Sequence, residues 1–215
     1  MDDRLTDVEV RVLGSLIEKE LTTPEYYPLS LNALTNACNQ SSNRDPVVQY
    51  DEATVAGAIE SLRGRSLVRA VQQSGSRVTK YRHLASETLT LDLRQTAVLG
   101  VLMLRGPQTL AELRTRGSRL ASFESLEDVE ATLNELIARE PSALVTRLPR
   151  RAGQKEARYA HLLAGEVAFD APDPSAPRAP ADGERIGALE EGMEELRKEV
   201  ADLRTQLEAF RKQFE

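Results

Sequence analysis

Apolar residues recur at helical spacing in blocks separated by turn-forming residues, and the same succession of blocks occurs twice in the first 165 positions. Thr6-Asp7-Val8-Glu9 is a reciprocal capping arrangement, and it predicts a first helix with Val8, Val12, Leu13, Leu16 and Ile17 on one face. Thr22 to Pro28, interrupted by Pro24 and Pro28, reads as an extended connection. Ser30 caps a second helix carrying Leu31, Leu34, Ala37 and Cys38, and Asp51 opens a third with Val55, Ile59 and Leu62. Leu67 to Val71 and Val78 to Leu84, joined through Ser74-Gly75-Ser76, predict a β-hairpin.

The second pass repeats this order. Leu93 to Leu104 gives a helix that Gly106-Pro107 ends; Thr109 to Glu112 is another capping box; Ser125 starts a helix burying Val129, Leu133, Leu136 and Ile137. Strands Leu144 to Leu148 and Ala157 to Leu163 follow. The copies share short motifs: Val12-Leu-Gly-Ser-Leu-Ile17 against Val98-Leu-Gly-Val-Leu-Met103, and Tyr-x-His-Leu at Tyr81 and again at Tyr159. A period near eighty residues suits a small domain rather than a solenoid unit. Three helices followed by a hairpin is the order of a winged helix-turn-helix. The expected fold is therefore mainly α with small β-hairpins, in two tandem winged-helix domains, 1–88 and 89–167.

The pattern changes after Leu163. Residues 168–184 contain Pro172, Pro174, Pro177 and Pro180 and predict a linker. In 185–215, Ile186, Leu189, Met193, Leu196, Val200, Leu203, Leu207, Phe210 and Phe214 alternate spacings of three and four, a heptad seam that predicts a coiled-coil helix. Homodimerisation through this helix is expected, with parallel, antiparallel and three-stranded pairing all open, as is folding back onto its own domains.

Charge changes the picture only when divided along the chain. Residues 1–165 hold 21 basic and 21 acidic side chains, whereas 166–215 hold 7 and 13, so the net −6 resides in the tail. An acidic total therefore does not exclude phosphate contacts by the two domains. The longest apolar stretch, Ala97 to Leu104, is too short to cross a bilayer, and the chain opens Met-Asp-Asp-Arg, so a cytoplasmic location without membrane contact is expected. One cysteine and two histidines give no metal-ligand cluster. No phosphate-binding glycine loop, carboxylate pair or nucleophilic triad can be assembled, and the expectation is a protein without catalysis, metal or cofactor.

Several longer segments, Thr22 to Asn32, Ala37 to Val47, Arg77 to Tyr81, Leu104 to Thr109 and Arg158 to Leu162, resemble the YceH-type family of bacterial proteins. The resemblance runs from Leu5 to about Val167 with a comparable heptad tail. It implies a pair of winged-helix domains and carries over no activity or binding residue.

Candidate contacts follow from the fold expectation. The third helix of a DNA-reading winged helix faces the major groove, yet Asp51, Glu52 and Glu60 mark that helix in the first copy, and Glu127, Asp128, Glu130 and Glu135 in the second. Positive charge gathers on the wings instead: Arg147, Arg150, Arg151, Lys155 and Arg158 in the second, and Arg77, Lys80 and Arg82, with Arg69, in the first. Arg114, Arg116 and Arg119 add to it. Such wings suit a phosphate backbone, or else guard strand edges as ordinary solvated hairpins. Asn39, Gln40, Asn43 and Arg44 are the residue types that pair with bases, although turns and helix caps use the same side chains. Cys38 reads as a buried thiol, and His83 and His161 as packing residues. The leading expectation is DNA contact through the wings in a regulatory role. Its rival is a protein-docking scaffold whose acidic third helices meet a basic partner.

Overall fold

A computed structural model describes residues 4–72, 78–150 and 156–165. The chain divides into Met1–Phe169 and Asp170–Glu215, and every described residue belongs to the first unit. The expected linker (168–184) and heptad helix (185–215), with all seam residues from Ile186 to Phe214, lie outside the described residues.

The described chain is mainly helical with small antiparallel sheets. Helix α1 (Asp7–Thr22) is capped reciprocally, Thr6 Oγ1 accepting from the Glu9 amide and Glu9 Oε2 from the Thr6 amide. Helices α2 (Leu31–Cys38) and α3 (Glu52–Gly64) start at Ser30 and Asp51, whose side chains accept from the amides of Ala33 and Thr54. Strands β2 (Val68–Val71) and β3 (Lys80–His83) pair antiparallel. After a one-turn connector, α4 (Ala85–Thr88), the order repeats: α5 (Leu93–Arg105) behind an Asp92/Gln95 capping box, α6 (Leu110–Gly117) behind Thr109/Glu112, and α7 (Leu126–Ile137) behind Ser125. Strands β4 (Val145–Arg147) and β5 (Tyr159–His161) close it. No helix among the described residues is long and apolar enough to cross a membrane.

Two features depart from the periodicity. Leu29 and Ser30, between the connection expected at Thr22 to Pro28 and the second helix that Ser30 caps, form a short strand β1 that pairs with Tyr81 and Lys80, giving sheet order β1-β3-β2. Pro28 holds the chain extended there, and pairing satisfies main-chain groups that β3 would otherwise present at an open edge. The second copy reduces the same device to one residue, Gln108, which exchanges both main-chain hydrogen bonds with Tyr159 at 3.0 and 2.8 Å.

The first helices also differ from the one-sided burial that their pattern predicts. Every residue from Glu9 to Glu18 is buried, and so is every residue from Thr96 to Leu104. Each helix has its own bundle on one side and the other copy's first helix on the other. The repeated Val-Leu-Gly motif explains the closeness. A Cβ on Gly14 would lie 3.0 Å from Met103 Cβ, and one on Gly100 would lie 2.9 Å from Ile17 Cγ2. One apolar core consequently runs from Leu5 through both copies to Tyr159.

Candidate functional site

The amide-rich loop after α2 is tied into the fold by side-chain hydrogen bonds at both its ends. Asn39 Nδ2 donates to the Tyr50 carbonyl (2.7 Å) and its Oδ1 accepts from the Tyr50 amide (2.8 Å), so one side chain closes the whole 39–50 excursion. Arg44 is buried: its Nη2 lies 2.6 Å from Glu18 Oε2, and its donors also reach the carbonyls of Ala37 and Asn43 and Gln40 Oε1. Asn43, with φ 58°, accepts from Arg105 Nη2 at 2.7 Å. Glu18 takes a second guanidinium, that of Arg119, from beyond α6. Burial raises the Glu18 pKa, but hydrogen bonds and charge from Arg44 and Arg119 more than offset it and hold the carboxyl below its ordinary value.

The candidate base-reading set is thereby corrected. Asn39 spends both amide atoms on Tyr50, Gln40 and Asn43 each engage their side-chain oxygen with an arginine of the fold, and the Arg44 guanidinium has no exposed surface. Together they tie α1, the end of α2 and the second copy to one another. The sequence missed Arg11, Glu18, Tyr50 and Arg105 as partners. The available signal was charge at Arg11 and Glu18, inside an otherwise apolar run.

The basic residues expected on the wings are partly neutralised within the fold. Arg82 Nη2 lies 2.6 Å from Glu87, and Arg158 Nη1 lies 3.0 Å from Glu112 while donating to the Pro107 carbonyl. Arg116 bonds Gln108 Oε1 and stands 3.5 Å from Glu112, and Arg114 donates to the Glu124 carbonyl. Lys80 is half-buried on β3, whereas Arg69, Arg147 and Arg150 are exposed. Arg77, Arg151 and Lys155 lie outside the described residues.

Arg147 and Arg150 line a groove of about 260 Å³ with Glu130 and Glu156, floored by Leu110 and Tyr159. Beside it, the outer face of α7 exposes Glu127, Glu130, Asn134 and Glu135. The exposed acids of α3 are fewer: Glu52 accepts from Asn32, and Glu60 pairs with Arg63 at 2.7 Å, while on α7 Glu135 accepts from Gln95 Nε2 at 2.9 Å. The two third helices thus present different surfaces, and the denser acidic one adjoins the mixed-charge groove.

The two equivalent histidines also diverge. His83 is buried; its Nδ1 accepts from the Ala85 amide (3.2 Å), and its Nε2 stands 2.6 Å from Glu20 Oε2. This contact holds the Glu20 carboxyl below its usual range. His161 has a buried Nδ1 without a partner among the described residues, and burial depresses its pKa to about 4. Cys38 is buried, and burial raises its thiol pKa, the opposite of what a nucleophile needs. No group of three or more His, Cys, Asp or Glu among the described residues could hold a metal ion.

Comparison with known proteins places these features in a lineage. A family profile described as "Protein of unknown function, DUF480" matches residues 5–154. The chain belongs to the DUF480 family. A UPF0502 protein of Geotalea daltonii is 58% identical over 220 residues, covering all of both chains. Its counterpart in Geobacter sulfurreducens is 52% identical over 221 residues with the same coverage. That of Vibrio atlanticus is 46% identical over 217 residues, spanning 98% of this chain and all of its own. The DUF480 match takes in the amide-rich loop, both glycine-mediated helix contacts and α7. Neither its description nor the relatives' names assign an activity, so function rests on the residues.

Proposed function

We propose that this protein is a non-enzymatic pair of winged-helix modules that docks a basic protein partner on the α7 face of the second module. The observation that carries this reading is the exposure of Glu127 and Glu130 on α7, with Glu135 further along the helix, Glu130 itself lining a groove that holds both arginines and glutamates over an apolar floor. A winged helix that reads DNA brings this helix against phosphates, where each carboxylate costs on the order of 1 kcal/mol through water. Toward a basic segment the same charges are attractive. Dimerisation through the seam from Ile186 to Phe214 would present two such faces and raise avidity without new contacts.

A photoreactive side chain placed at Ala131, exposed on α7, tests the reading in cells. Adducts with a protein are expected there and not from the same group at Ala53 on α3, and they should vanish when Glu127, Glu130 and Glu135 are replaced by lysine. Equal adducts at both positions, or adducts that survive charge reversal, would refute it.

DNA contact is the second reading, and it is supported by Arg69, Arg147 and Arg150, exposed with no carboxylate within 4 Å among the described residues. Gel shifts at several salt concentrations separate the two. Phosphate contact predicts a steep salt dependence that flattens by about two when Arg147 and Arg150 are both replaced.

A further inference from the structure

Between the start of α1, residues 45–50, the end of α5 and strand β5 lies a cleft of about 590 Å³, within the usual range for small-molecule sites. Val10, Val48, Leu102 and Met103 give it apolar walls. Five charged or titratable side chains also line it: Arg11, His161, Asp7, Asp45 and Tyr50. Arg11 is 4% exposed and donates to the carbonyls of Cys38 (3.1 Å) and Pro46 (2.6 Å). No carboxylate of the described residues comes within 4 Å of it. A buried cation without a paired anion is costly and uncommon.

The duplication indicates what the cleft lacks. Aligning Val12 with Val98 sets Gly106 in the place of Glu20. In the first copy, Glu20 brings its carboxylate to the imidazole of His83. In the second, Gly106 has no side chain and open space lines it, and the buried Nδ1 of His161, which in His83 accepts from the Ala85 amide, has no partner among the described residues. A carboxylate supplied from outside would enter the space beside Gly106, meet an imidazole as Glu20 does in the sister copy, though at the other ring nitrogen, and also face Arg11. Asp7 and Asp45 are exposed and face the cleft as anions, which disfavours a simple acid and suits a ligand that also carries a cation.

We infer that this cleft binds a small zwitterion with an apolar side chain, of amino-acid or dipeptide size. Its carboxylate lies between His161 and Arg11, its ammonium near Asp7 and Asp45, and its side chain against Val10, Leu102 and Met103. The site is separate from the α7 face, so binding is measured on the full chain without a protein partner.

Calorimetric titration with leucine, leucyl-leucine, isoamylamine and 4-methylpentanoate decides it. At least one of the two zwitterions is expected to bind no less than tenfold more tightly than either singly charged analogue, and the tighter of the two fixes the ligand size. Asp7→Asn and His161→Gln should each weaken that binding about tenfold or more, with circular dichroism confirming an unchanged fold. Absence of binding at millimolar concentration would overturn the inference. So would equal affinity for all four probes, or affinity untouched by both substitutions.

Discussion

Gly100→Ala provides a direct test of the helix contact at the centre of the molecule, because Gly57→Ala supplies its control. Both glycines lie inside helices, and replacing glycine by alanine there gains about 0.5–1 kcal/mol from backbone propensity alone. Gly57 is exposed on α3 with nothing within 4 Å of a new Cβ, so its substitution should realise that gain. A methyl on Gly100 would sit 2.9 Å from Ile17 Cγ2, well inside the roughly 3.5–4.0 Å at which carbon atoms pack. Ile17 is buried, and a branched side chain on a helix has one dominant rotamer, so relief requires α1 and α5 to move apart. Overpacking of this kind costs about 1–3 kcal/mol, which leaves Gly100→Ala from about neutral to about 2 kcal/mol less stable than the parent. Urea unfolding reads the difference, provided that the denaturant slopes agree. Gly14→Ala should fall beside Gly100→Ala, since its Cβ would meet Met103 Cβ at 3.0 Å, an atom that moves only with its helix. If Gly100→Ala stabilises as much as Gly57→Ala, the proposed close contact between α1 and α5 is wrong.

Three further outcomes are expected. Arg44→Met should cost about 3–5 kcal/mol in urea unfolding, because it strands the buried Glu18 carboxylate with Arg119 alone, and a loss below 1 kcal/mol would contradict the buried ion network. Asn39→Ala should cost about 1–3 kcal/mol by leaving both main-chain groups of Tyr50 without their partner, whereas a base-reading asparagine would leave stability unchanged. His161 ordinarily titrates near 6.5 but near 4 in the fold, so between these values unfolding takes up a proton. Stability should therefore fall as pH drops from 6.5 to 4, by on the order of 3 kcal/mol from this group, with no contribution above 6.5. His161→Gln should flatten that limb of the pH profile, and an unchanged slope would place the titration elsewhere.

The elements whose signals are local were legible in the sequence. Thr6, Ser30, Asp51, Thr109 and Ser125 each cap the helix that their position predicts, since a cap needs only the next few residues. What escaped depends on distant partners. Glu18 meets Arg119 across 101 positions and Asn43 meets Arg105 across 62. Helical periodicity cannot report that α1 has two neighbours, because a helix buried on both sides still carries apolar residues at the expected spacing. Base-pairing residue types misled for a related reason: Asn, Gln and Arg satisfy main-chain groups as well as they satisfy bases, and composition does not say which target is nearer.

The shared core bears on how a partner could meet the two modules. Tandem modules on a flexible tether sample many orientations, and a partner touching both must fix them at an entropic cost. Here α1 and α5 meet through Gly14 and Gly100, the Asp45 amide donates to the Leu104 carbonyl at 2.9 Å, and Leu5 bonds the Leu163 carbonyl at 2.8 Å. Separating the modules would expose that apolar contact and leave Glu18 buried without Arg119, so α3 and α7 stand at one fixed spacing. A partner docked on the α7 face alone does not draw on that spacing, so loosening the joint at Gly100 should leave its binding unchanged, and weakened binding would show that the partner also touches α3.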